Sequence, residues 1–79
     1  MAHFLLVYDV KAGQLLREPV EFEDSKEQEA VRAYEFAERE FEGRADLQVL
    51  LLSAESLDAL RVTHANFFRR VQFEDALRD

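Results

Sequence analysis

The run FLLVYDV at residues 4–10 decides the fold of this chain. It is rich in β-branched and aromatic residues and is apolar on both faces, which predicts a central strand. A short turn follows at residues 11–14, and residues 15–23 are predicted to form a second strand. Pro19 lies inside that second strand and cannot donate a backbone hydrogen bond, so the strand belongs at an edge of the sheet or carries a bulge.

Two amphipathic segments predict helices on either side of a third strand. The first helix starts at Asp24 or Ser25 in a capping box and ends at Gly43. Its apolar stripe contains Ala30, Ala33, Tyr34, Ala37 and Phe41. The uncharged run LQVLLL at residues 47–52 predicts the third strand. The second helix starts at Ser53 or Ser56, and its inward side carries Leu57, Leu60, His64, Phe67, Phe68 and Val71.

Together these elements predict one small α+β domain with the order ββαβα. Because Pro19 marks an edge, the three-stranded antiparallel sheet takes the order 2-1-3, and the two helices cover its faces. The single domain spans residues 1–79, with an ordered core at residues 1–71 and a tail at 72–79 that is helical or contacts a partner. A chain of 79 residues has a small core, and without cysteine it has no disulfide, so oligomerisation is the expected source of added stability.

One segment accounts for the net charge of the chain. Residues 18–42 hold ten acidic and three basic residues, a net charge of −7, which equals that of the whole protein. This acidity argues against nucleic acid or an anionic membrane as a direct partner. With no basic leader and no long apolar run, we expect a soluble, cytoplasmic protein. Two histidines without a ligand-like spacing predict no metal and no cofactor.

Three features are similar to small, uncharacterised actinobacterial α/β proteins. They are the opening FLLVYD, the leucine-rich third strand and the ending Thr63-His64-x-x-Phe67-Phe68. The resemblance covers most of the chain. It implies one compact α/β unit and carries no activity, cofactor or partner.

A polar site is one candidate for function. His64 lies in the middle of the inward side of the second helix, where an imidazole could act as a general base, a ligand group or a pH switch. Tyr8 and Asp9 on the first strand are its possible companions, although their side chains point to opposite faces. We favour a structural His64, bonded to a backbone carbonyl or to Tyr8, because no nucleophile or oxyanion motif accompanies it. Asp9 is more typical of a strand end beside a turn.

Charged side chains give two further candidate surfaces. The acidic helix presents Glu35, Glu38 and Glu42, which form either a solvated face or a surface that imitates nucleic acid. The only basic group, suited to contact the acidic helix of another copy, consists of Arg61, Arg69 and Arg70.

The sequence therefore predicts a non-enzymatic protein-interaction or regulatory module, a homodimer that also binds another protein. Val49 and Leu51 lie in the uncharged third strand, whose position at a sheet edge invites pairing with a second copy. One alternative is an acidic inhibitor of the phage or antitoxin type that imitates nucleic acid. The other is a small-molecule site or weak enzyme around His64 and Tyr8.

Overall fold

The computed structural model describes residues 1–68, which form an antiparallel sheet with helical segments packed against it. The strands are β1 (Ala2–Asp9), β2 (Gln14–Leu15), β3 (Val20–Phe22) and β4 (Leu47–Ala54). The helices are α1 (Glu27–Glu40) and α2 (Leu57–Thr63), with 3-10 turns at Asp24–Lys26 and Ala65–Phe67. The α+β class is confirmed. Arg69, Arg70, Val71 and the predicted tail at 72–79 lie outside the described residues.

β1 is the central strand of the sheet. Along its whole length it pairs antiparallel with β4, from Ala2 opposite Ala54 to Asp9 opposite Leu47. On its other side it pairs antiparallel with β2 and β3, which are two pieces of the predicted second strand. The predicted order 2-1-3 is therefore confirmed.

The second predicted strand is interrupted within residues 15–23, in the region where Pro19 predicts an edge or a bulge. Tyr8 lies opposite Leu15, whereas Leu5 lies opposite Val20, so residues 16–19 occupy the space across from residues 6–7. Pro19 ends this break. Because proline has no N–H to donate, an interruption at this edge costs the sheet less than a proline in a regular ladder.

The predicted capping box at the start of α1 is not formed. The chain enters the helix through the 3-10 turn, in which the Lys26 N–H donates to the carbonyl of Glu23 at 2.8 Å, and neither turn nor helix has a side-chain cap. The Asp24 carboxylate lies instead 3.5 Å from the Met1 amino group. At the other end α1 stops at Glu40, and Gly43 takes its positive φ of 86° in the turn beyond.

The two faces of β1 are covered by different helices. Phe4 and Leu6 form a core cluster with Ala54 and Leu60, the last from α2. Phe4, Leu6 and Leu60 are fully buried, and burying each such side chain contributes about 1.5–3 kcal/mol. Because side chains alternate along a strand, Leu5 and Val7 point to the opposite face, where α1 packs across β1 and β4.

The predicted alanines of α1 allow the helix to pack closely against this face of β1 and β4. Ala30 and Ala37 are fully buried, and Leu5 and Val7 are 5% and 1% exposed. An alanine side chain lets the helix backbone approach the sheet closely, so this face is sealed without large residues on α1.

α2 is shorter than the predicted second helix. Ser56 caps it as predicted, because its hydroxyl accepts a hydrogen bond from the Ala59 N–H at 3.1 Å. The helix ends at Thr63, whose hydroxyl donates to the carbonyl of Ala59 at 3.2 Å. His64 is therefore the half-buried C-cap residue of α2 and does not lie in the middle of a helix.

Candidate functional site

Two of the three residues of the predicted polar site, Tyr8 and His64, contact the same aromatic ring, that of Phe67. The ring of Tyr8 meets the ring of Phe67 edge to face, with 5.1 Å between centroids. Phe67 in turn stacks on His64, with 6.2 Å between centroids. Asp9 takes no part in this group of three rings. Its carboxylate accepts a hydrogen bond from the Ala12 N–H at 3.0 Å and so stabilises the turn between β1 and β2, as predicted for a strand-end aspartate.

Arg61 is the only described member of the predicted basic group. Its guanidinium lies 3.9 Å from the Asp58 carboxylate and 5.7 Å from the centroid of the Phe68 ring. Together with Leu15 and Pro19 it lines a surface groove of about 350 Å³. Arg61 thus faces the break in the second strand, away from the acidic helix of its own chain.

A second polar cluster lies where sequence analysis predicted none. His3 Nδ1 lies 2.9 Å from the Ser53 hydroxyl, directly across the β1–β4 ladder. The opposite ring nitrogen, Nε2, is buried and lies 3.8 Å from the Asp24 carboxylate, within ion-pair range but beyond a hydrogen bond. The side chain of His3 is 12% exposed.

Ser53, His3 and Asp24 contact one another in the order serine, histidine and aspartate, which is the order of nucleophile, base and acidic residue in a catalytic triad. In a catalytic triad the acid holds the ring through a hydrogen bond, and at 3.8 Å Asp24 does not do so. We interpret the cluster as a structural contact that links β4, β1 and the turn before α1. No sequence spacing could have indicated it, because Ser53 reaches His3 only through the strand register.

β4 has an open edge. Within residues 1–68 it pairs with β1 alone, over all eight of its residues. Val49 and Leu51, the predicted interaction residues, lie in the middle of this strand and are half-buried on the face that α1 covers. No charged side chain occurs anywhere in β4. An uncharged edge strand of this length is a template for pairing with another chain.

Backbone hydrogen bonds establish which groups of β4 point to the open edge. The Val10 N–H donates to the Asp46 carbonyl at 2.9 Å, so Asp46 turns its backbone groups toward β1. In an antiparallel ladder successive residues alternate in this direction. Val49, Leu51 and Ser53 therefore direct their N–H and C=O groups away from β1.

Two other bonds agree with this alternation. The Leu47 N–H donates away from β1, to the Arg44 carbonyl at 3.1 Å. On the far side of β1, the Val7 carbonyl accepts from the Leu16 N–H at 2.8 Å, so Val7 turns away from β4.

Some of the acidic residues of α1 lie on the side of the helix nearer this edge. Arg17, in the break of the second strand, pairs with Glu40 at 3.7 Å and lies over the Phe41 ring at 5.3 Å. The Glu40 side of α1 therefore faces β2 and β3. Residues on the opposite side of the helix, spaced by three or four, face the open edge of β4. This acidic flank consists of Glu27, Val31, Glu35, Glu38 and, just beyond the helix, Glu42.

Two pairs of titratable groups lie beside β4 and α1. Burial and the charge of the neighbouring Glu38 carboxylate together raise the pKa of Tyr34 above its ordinary value. In the loop before β4, Arg44 donates two hydrogen bonds to the Asp46 carboxylate, both at 3.0 Å, and these lower the pKa of Asp46. The second pair orders the loop from which β4 begins.

Comparison with known proteins finds no matching family model, curated protein or solved structure. Within the described part of the chain, no helix is long and apolar enough to cross a membrane. Over the same residues, His, Asp and Glu side chains form no group of three that could hold a metal ion.

Proposed function

We propose that this protein is a protein-interaction module that uses the open edge of β4, and that it pairs with a second copy of itself when no other partner is bound. The observation that supports the proposal is the eight-residue uncharged strand that pairs on one side only within residues 1–68. Pairing two such edges yields a continuous sheet and adds apolar burial to a small core.

The symmetry of such a dimer follows from the pleat of β4. Residues directly opposite each other in an antiparallel pair point to the same face, so odd-numbered residues must meet odd-numbered residues. Val49, Leu51 and Ser53 also carry the outward backbone groups, and a two-fold axis perpendicular to the sheet at Leu51 or Leu50 satisfies both conditions.

Sedimentation of the unmodified protein at micromolar concentration tests this proposal, at low and at high salt. We expect a dimer whose fraction rises with protein concentration. A monomer at both salt concentrations would show that β4 does not pair with its own copy.

A second candidate function is the acidic inhibitor. Glu35, Glu38 and Glu42 lie in one row on the acidic flank, as a surface that imitates a phosphate backbone requires. Arg32 and Arg39 lie on the adjacent, solvent-facing side of α1 and reduce the local negative charge. Competition with duplex DNA for a basic DNA-binding protein tests this candidate, since an inhibitor of this type displaces the DNA.

A further inference from the structure

Self-pairing through β4 brings like charges together. The two-fold axis is perpendicular to the sheet, so the two copies of α1 lie on the same face of the joined sheet. On each copy the acidic flank faces the open edge, and the two flanks therefore face each other across the seam. Carboxylates at this position repel, which weakens the dimer at neutral pH and low salt.

We propose that the open edge of β4 accepts an extended segment of a basic partner, with Lys or Arg at alternate positions on the α1 side and apolar residues on the α2 side. This inference rests on the proposed use of β4 as the interaction edge and adds the chemistry of the partner. The same edge that repels a second copy attracts a strand of opposite charge.

The α1 side of the site determines the basic positions. Side chains of an added strand that lie opposite Val49, Leu51 and Ser53 sit beneath the acidic flank. The aliphatic stem of a lysine or arginine packs along the half-buried side chains of β4, and its charged head reaches the carboxylates above. On the helical wheel, Glu35 and Glu38 lie on this side of α1.

The α2 side determines the apolar positions. Leu50 and Leu52 point to this face and are half-buried against the core cluster, so part of their apolar surface remains at the edge. An added strand covers this surface with every second side chain. The matching ligand is therefore an alternating basic and apolar segment, recognised by strand addition.

The opposite edge of the sheet lacks these properties. β2 and β3 span two and three residues, and the break that contains Pro19 separates them. A short, interrupted edge cannot form a regular ladder with an added strand. In residues 1–68 the combination of a long open edge and an acidic flank therefore occurs at β4.

A labelled octapeptide that alternates Lys and Val tests the proposal by fluorescence anisotropy at low salt. Two control octapeptides are matched to it: one alternates Glu and Val, and one has the same composition with its lysines grouped at one end. We expect the alternating Lys–Val peptide to bind about tenfold more tightly than either control, because the Glu–Val peptide loses the exposed ion pairs and the grouped peptide loses the alternating register of apolar contacts. Equal binding of the grouped peptide would overturn the strand-addition model.

Variants of the protein locate the binding site. Replacing Glu35, Glu38 and Glu42 by Gln should weaken peptide binding about tenfold, since each exposed ion pair contributes a few-fold. The matched control makes the same change of charge at the opposite edge, in Glu18, Glu21 and Glu23, and should leave binding within about twofold. An equal loss in both triple variants would show that only net charge attracts the peptide.

Peptide binding and self-association are tested separately, so failure of one is distinguishable from failure of the other. A protein that dimerises but ignores the alternating Lys–Val peptide overturns the basic partner and leaves self-pairing intact. A monomer that binds the peptide refutes self-pairing and supports the basic partner. Val49→Pro removes an outward N–H from β4, and unchanged peptide binding by this variant would show that the peptide does not add to the edge.

Discussion

Val49→Pro separates the use of the β4 edge from the stability of the domain. The Val49 N–H points away from β1, so its loss removes no hydrogen bond from the β1–β4 ladder. Proline is tolerated in an edge strand at such a position, and the preceding residue, Gln48, already has the extended conformation that proline requires. We therefore expect the monomer to fold and the dimer to dissociate.

The size of the effect follows from the pairing geometry. A dimer centred on either Leu51 or Leu50 has about six backbone hydrogen bonds between its two strands. Val49→Pro removes two of them in either register, one from each copy. At about 1 kcal/mol for each bond, the dimer loses about 2 kcal/mol, or roughly thirtyfold in Kd. The proline ring also obstructs the partner strand, so this value is a lower bound.

Leu50→Pro is the matched control, because Leu50 directs its N–H toward β1. This variant loses a ladder bond inside the domain, and we expect a much lower melting temperature. The assay combines sedimentation equilibrium at high salt, where repulsion between the acidic flanks is screened, with a thermal melt of each variant. If Val49→Pro melts close to the unmodified protein and dimerises as tightly, pairing through the β4 edge is refuted.

Three further predictions concern other parts of the molecule. His64→Ala should cost about 1 kcal/mol, because a half-buried ring leaves its stack on Phe67; a loss above about 3 kcal/mol by chemical denaturation would contradict this peripheral placement. The Tyr34 phenol should titrate above its ordinary pKa in ultraviolet absorbance, and Glu38→Gln should lower the midpoint of this titration. Because the pKa of Tyr34 is raised in the folded state, its contribution to folding stability is present below the unfolded-state pKa and is lost as the pH rises through the folded-state pKa. The pKa of Asp46 should lie below its ordinary value by NMR titration and return toward it in Arg44→Gln; the stability from this pair is present above the unfolded pKa and is lost as pH falls through the folded one.

The central strands were predictable because both of their faces are covered. Leu5 and Val7 pack under α1 while Phe4 and Leu6 pack under α2, so β1 has no exposed face that requires polar residues. An uninterrupted apolar run is the sequence signature of such a strand. The proline rule likewise predicted which neighbour of β1 would be irregular.

The details that sequence analysis missed depend on contacts between distant residues. Asp24 has the side chain of a helix cap, but it lies beside the Met1 amino group and His3 instead. The apolar spacing of the second helix continues past His64, yet α2 ends where Thr63 turns its hydroxyl back to the helix backbone. Neither the contacts of Asp24 nor the end of α2 at Thr63 can be predicted from the neighbouring residues in the sequence.

The broken edge at Pro19 has a consequence for assembly. A sheet with two regular edges can polymerise, since each added subunit presents a new edge to the next, and fibrils grow in this way. Within residues 1–68, the outer ends of the proposed dimer consist of two copies of the interrupted β2–β3 edge. We therefore expect growth of the proposed assembly to stop at two subunits, and we expect that restoring a continuous strand, by deleting two residues from the break, converts a closed dimer into an open-ended polymer.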